Sequence, residues 1–172
     1  LEITICGHRR AVQILKEKPK ELDILMISSP EPYGSFFGVE GSEQIPELAR
    51  ECKMIAFHDI DFPRPGYHPP SKEDIQEALK WAKGKKKIIV ACQAGISRSS
   101  ATAYVIKCTT TDPRSALLIL DEDKHSPNMM IIRHGADILQ KPEMVDIVLD
   151  WKYRSEESRN AWNLDDTDQI VS

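Results

Sequence analysis

The chain predicts an α/β fold with a central, mostly parallel sheet flanked by helices, and three observations carry that prediction. Short apolar, β-branched runs alternate with helical stretches from Ile3 to Cys92, the pattern of strands joined by helical crossovers. Past Cys92, helical patterns dominate. The apolar run Ile88-Ile89-Val90-Ala91 ends in a short loop that leads into a second apolar stretch, Ala101 to Cys108. A loop at the carboxyl end of a buried strand is where such folds meet their ligands.

Taken in order, Ile3-Thr4-Ile5-Cys6 is a first strand by its β-branched residues. Gly7-His8 reads as a turn. Arg9 to Lys16 is a helix with Ala11, Val12, Ile14 and Leu15 on one side, ended by Pro19. Leu22 to Ile27 is a second strand. Ser28 to Gly34 is a loop by composition; Tyr33, Phe36 and Phe37 read as local packing around it, with a place in a substrate mouth as the sharper alternative. Ile45 to Ala49 suggests a short helix and Lys53 to Phe57 a third strand. His58 to Pro70 carries four prolines, which lack the amide a ladder needs, so it is a surface loop. Ser71 reads as an N-cap with Asp74 as its capping-box partner. The helix that follows, Glu73 to Lys83, gathers Ile75, Ala78, Leu79 and Ala82 on one face. Gly84 stops it, and Lys85-Lys86-Lys87 is a solvated turn before the fourth strand. The helix after the short loop, Ala101 to Lys107, is apolar enough to be buried. Asp112-Pro113 is an N-cap followed by proline at the first helical position, ahead of a helix carrying Ala116 to Leu120. Ser126-Pro127-Asn128 breaks the chain, and Met129 to Leu139 and Pro142 to about Tyr153 are the last helices. Residues 1–153 therefore read as one domain. Residues 154–172 read as a polar, loosely ordered tail.

Composition narrows the partners. At 172 residues the chain is long enough for one domain with a sizeable core. Its formal net charge of -4, without a basic stripe, predicts neither nucleic acid nor an anionic membrane as a partner. No run approaches membrane-spanning length, and Leu1 to His8 lacks the pattern of a secretory leader. Cys6, Cys52, Cys92 and Cys108 are too widely spaced for a metal-type pair. Cys92 aside, they read as buried thiols in a reducing, cytoplasmic compartment. His8, His58, His68, His125 and His134 sit at no spacing that demands metal or triad chemistry and read as surface or loop residues. No metal and no other cofactor is expected.

Chemistry concentrates in Cys92-Gln93-Ala94-Gly95-Ile96-Ser97-Arg98-Ser99. A strand-turn-helix element with so short a loop can wrap its backbone amides, Gln93 to Arg98, around one anion. The helix N-terminus adds free donors and partial positive charge. These fields suit a phosphate and favour the thiolate of Cys92. Arg98 offers two prongs to two phosphate oxygens, and Ser99 can donate a hydrogen bond to the sulfur.

This loop resembles the phosphate-binding loop of the cysteine-dependent protein tyrosine phosphatase superfamily, in its dual-specificity-phosphatase-like branch. The resemblance rests on Cys92, five residues, Arg98 and Ser99, with Ala94-Gly95 inside, a strand before and a helix beyond. It is specific from His58 to Ala103 and loose over roughly residues 20 to 150. Many members carry histidine just before the cysteine, where this chain has Ala91. The resemblance implies a three-layer fold, a phosphocysteine intermediate on Cys92, and no metal. It also implies an acid on a loop past a strand some tens of residues upstream. Asp59 and Asp61 both qualify, and Asp59 is favoured because it follows directly on the strand end. The expected substrate is protein phosphotyrosine, extending to phosphoserine and phosphothreonine, or a small phosphomonoester. Gln93, Ala94, Ile96 and Ser97 include no lysine, whereas phosphoinositide-specific relatives often have basic residues there. The alternative is a catalytically weak or inactive phosphate-binding module of the same fold.

Overall fold

The structure is a computed structural model and describes residues 1–30 and 39–165, with side chains described through residue 160. Four strands, β1 (Glu2–Gly7), β2 (Asp23–Ser28), β3 (Glu51–Ala56) and β4 (Lys87–Cys92), form one sheet in the order β1-β4-β2-β3. Every pairing is parallel. The helices are α1 (His8–Glu17), α2 (Ile45–Leu48), α3 (Lys72–Ala82), α4 (Arg98–Lys107), α5 (Pro113–Ala116), α6 (Met129–Leu139) and α7 (Glu143–Asp165). The expected α/β fold with a flanked parallel sheet is the one observed. Among the described residues no helix is long and apolar enough to cross a membrane.

Strand parity builds two cores. Leu25 and Ile27 of β2 and Ile88, Val90 and Cys92 of β4 pack with α3, α4, α6 and α7. Ile24, Met26, Ile89 and Ala91 point the other way and pack with α1 and α2. All six residues of β2 are buried, as a central parallel strand covered on both faces requires.

Helix α4 is largely withdrawn from solvent: nine of its ten residues are buried, Arg98 to Ile106. It lies against β4, β1, α3 and α6, which explains its small residues Ala101, Thr102 and Ala103. α6 approaches it through Gly135, where a Cβ would fall 2.5 Å from both methyls of Val105. Only glycine permits that crossing.

The predicted caps form. Ser71 Oγ accepts from Asp74 N and the Asp74 carboxylate accepts from Ser71 N, a complete capping box on α3. Asp112 Oδ1 accepts from Arg114 N and Ser115 N at the start of α5. Three expectations are corrected. Gly7-His8 is no turn: β1 passes straight into α1. The helix expected through Leu120 is the single turn α5 and a 3-10 turn, Leu117–Ile119: Pro113 and Ala116 are buried, Leu117, Ile119 and Leu120 pack partly buried against the core, and Leu118 is 88% exposed. The last helix runs past Tyr153 to Asp165, so residues 154–165, read as loose from their polarity, are helical. They hold neither proline nor glycine, and Ser155 is buried with its hydroxyl on Trp151 O.

Gly135→Ala should destabilise the protein by about 1–3 kcal/mol through overpacking. Val105→Ala on that background should recover part of the loss, since the obstructing methyls go with it. Urea denaturation of the single and double variants checks both outcomes.

Candidate active site

The strand that carries Cys92 and the helix that carries Arg98 are closer than their sequence indicates, since α4 begins at Arg98 rather than Ala101. Cys92 is 3% exposed. Its Sγ accepts from Gly95 N at 3.3 Å and lies 3.2 Å from Ser99 Oγ. Gly95 has φ +76, and a Cβ on it would fall 2.3 Å from Gly7 N and 2.4 Å from Cys6 C. The loop therefore leans directly on the end of β1. A Cβ on Gly7 would in turn sit 3.0 Å from Gln93 O and 3.1 Å from Ala94 O. That platform gave no sign of itself in the sequence.

Arg98 is 4% exposed. Its Nη1 donates to Phe57 O at 2.9 Å and to Ser29 Oγ at 3.0 Å, which ties the guanidinium to the ends of β3 and β2. Its Nε is buried and has no hydrogen-bond partner among the described residues. A buried guanidinium donor left unsatisfied is expensive.

The two candidate acids part company. Asp59 Oδ1 accepts from Ser97 Oγ at 2.8 Å, so its carboxyl touches the loop that follows β4. It also accepts from Asn128 Nδ2 at 2.9 Å. Asp61 Oδ1 instead accepts from Met129 N at 2.8 Å, at the first turn of α6. The loop between them and α3 is tied at its base: His58 N donates to His68 O at 2.7 Å and His68 N to His58 Nδ1 at 2.8 Å. Because Nδ1 accepts, the ring proton of neutral His58 is assigned to Nε2. The Tyr67 ring stands edge-on to it, 5.1 Å between centroids.

The histidines need correction, because three of the five are buried: His8 at 2%, His58 at 7% and His125 at 4%. His8 Nε2 lies 3.1 Å from Ile27 O, just past Met26 and Ala91, the last pair of the β2–β4 ladder. Burial pushes its pKa down to about 4, and the nearby Arg98 charge adds to the shift. His125 Nδ1 accepts from Asp121 N, and burial lowers its pKa too. Burial pushes the thiols of Cys6, Cys52 and Cys108 up to about 11, so these three are protonated and unreactive at neutral pH. Tyr33, Phe36 and Phe37 lie outside the described residues. Asn128, 2% exposed and bound to Asp59, was read only as a chain break. Its one legible signal was its place as a capping residue before the apolar run of α6.

No family model matches the chain and no curated protein matches its sequence. Solved structures do match. The human tyrosine phosphatase-like serine/threonine/tyrosine-interacting protein superposes with TM-score 0.58 at 15% identity, over 80% of this chain and 91% of that one. PTPMT1 superposes with TM-score 0.51 at 12% identity, over 93% and 94%. Its complex with PI(5)P gives TM-score 0.51 at 11% identity, over 92% and 94%. The chain thus has the fold of these tyrosine phosphatase-like structures.

A buried neutral histidine leaves a pH signature. Unfolded, His8 titrates near 6.5; folded, it titrates near 4. Above pH 7 neither state binds the proton. As pH falls from 6.5 towards 4, the unfolded chain takes it up and the native one does not, so stability declines. Between pH 7 and pH 4.5, wild type should lose about 2 kcal/mol more than His8→Gln, as read from urea denaturation at both pH values.

Proposed function

We propose that the chain hydrolyses phosphate monoesters through a phosphocysteine on Cys92, with protein phosphotyrosine as the principal substrate. The observation that carries this reading is the buried Arg98, pinned through Nη1 with its Nε unpartnered among the described residues, on the loop that holds Cys92. Phosphoserine and phosphothreonine proteins and small phosphomonoesters are the neighbouring substrates.

The chemistry follows the geometry. The amides of the loop from Gln93 to Arg98 and the guanidinium hold the three equatorial phosphoryl oxygens. The Cys92 thiolate attacks phosphorus in line, forming the S–P bond as the P–O bond to the leaving group breaks. Asp59 gives its proton to the departing oxygen. Its carboxylate then takes a proton from the water that attacks phosphocysteine, and the S–P bond breaks to return thiolate and inorganic phosphate. Ser99, 3.2 Å from the sulfur, donates to the thiolate as it departs. Asp61 is occupied at the start of α6, which supports Asp59 as the acid.

The loop side chains Gln93, Ala94, Ile96 and Ser97 bring no cation to the site, which favours a phosphoprotein over a phosphoinositide. Ile96 on the loop and Phe62 and Tyr67 on the acid loop are exposed, at 41%, 53% and 41%, and offer apolar surface to a peptide or aryl group. The fold by itself does not choose, since PTPMT1 shares it in complex with PI(5)P. All four cysteines are free, which supports a reducing, cytoplasmic setting.

Cys92→Ser should abolish hydrolysis of p-nitrophenyl phosphate while leaving vanadate binding intact. A wild-type protein that binds vanadate but turns over nothing would instead be a phosphate-binding module. Asp59→Asn should lower kcat for a phosphotyrosine peptide about 100-fold or more. Asp61→Asn, which keeps an acceptor for Met129 N, should stay within a few fold in the same steady-state assay.

A further inference from the structure

Asn128 belongs to neither the phosphate loop nor the acid loop, yet it touches both. Its Oδ1 accepts from Met130 N and Ile131 N, both at 3.1 Å, and so caps α6. Its Nδ2 donates to Asp59 Oδ1 at 2.9 Å and to Ile60 O at 3.2 Å. Its backbone N lies 3.4 Å from Ser97 O, and two residues earlier Ser126 N donates to Ile96 O at 3.1 Å. The segment 126–128 therefore runs along the phosphate loop by its backbone and grips the acid loop by one side chain. That side chain is 2% exposed, with its oxygen and both amide hydrogens engaged.

We infer that Asn128 is the positioning residue for the acid: it sets Asp59 beside the phosphate loop before substrate arrives. The inference rests on the hydrolase reading above. Asp59 is itself exposed and sits near the start of a proline-rich loop whose own ties lie at its base. Two donors, Ser97 Oγ and Asn128 Nδ2, converge on Oδ1. Among the described residues nothing donates to Oδ2, so Oδ2 is the oxygen that carries the proton and hands it to the leaving group. Two fixed bonds on one carboxyl oxygen orient the other. The Ser97 hydroxyl alone rotates, whereas the Asn128 amide is locked by its capping bonds. A misplacement of the acid by about 1 Å is enough to cost 100-fold in rate.

A role as helix cap alone would make Asn128 merely structural, and the leaving group separates the two. A poor leaving group needs the acid's proton, and a good one departs without it. Asn128→Ser keeps a capping oxygen but is too short to reach Asp59. Its kcat/KM, which reports transfer to Cys92 and not the later hydrolysis that Asp59 also serves, should fall about 30-fold on phenyl phosphate and about threefold or less on 2,4-dinitrophenyl phosphate. Asn128→Asp, which keeps the cap and the size but loses the donor, should show the same split. On an Asp59→Asn background, Asn128→Ser should change neither rate by more than about twofold. Equal losses on the two substrates, or losses that multiply in the double variant, would overturn the inference and leave the hydrolase standing. Wild type that hydrolyses neither substrate would overturn both.

Discussion

A positive charge is buried at the carboxyl end of the sheet, and the rest of the molecule is arranged to tolerate it. Arg98 opens α4, directly after the loop that follows β4, and its Nη1 reaches the ends of β3 and β2. Taking a guanidinium out of water costs several kcal/mol unless anions and acceptors replace the solvent. The protein supplies two neutral acceptors and leaves Nε unsatisfied among the described residues.

That arrangement demands a rigid floor. The loop is not held by its own sequence alone: Gly95 presses on the backbone of Cys6 and Gly7, with no room for a side chain at either glycine. His8, buried and neutral, takes the Ile27 carbonyl where the β2–β4 ladder stops. The residue before Cys92 is Ala91, and His8 from α1 stands against the same strand ends. Below the loop, α4 is wrapped by the sheet, α3 and α6, so the residues that set Arg98 and Ser99 cannot shift without repacking the centre of the molecule.

The acid side of the site is assembled differently. Asp59 is exposed, on a loop whose prolines exclude regular structure, and two segments distant in the chain converge on it: the loop after β4 at Ser97 and the connection at Asn128. Cys92, Arg98 and the loop between them are local to one strand-loop-helix. Asp59 is placed by tertiary contact.

Much of the fold was legible because parallel β/α alternation writes itself in short apolar runs, and capping residues such as Ser71 and Asp112 announce helix starts. Polarity misled where it stood in for disorder: residues 154–165 are charged yet helical, since helices need backbone hydrogen bonds and no proline, not apolarity. The histidines were misread for the opposite reason. Nothing in a sequence says that His8 or His125 will be covered, because burial is decided by which distant elements close over them.

What the sequence determined by itself was the spacing of Cys92, Arg98 and Ser99 and the strand and helix on either side, because these act within one continuous turn of chain. Which aspartate meets the loop after β4, that Asn128 is bonded to it, and that Gly7 supports the loop from below were decided only by the tertiary structure. Those relations join residues tens of positions apart, and a hydrogen bond between them exists only once the sheet and helices have fixed where each backbone passes.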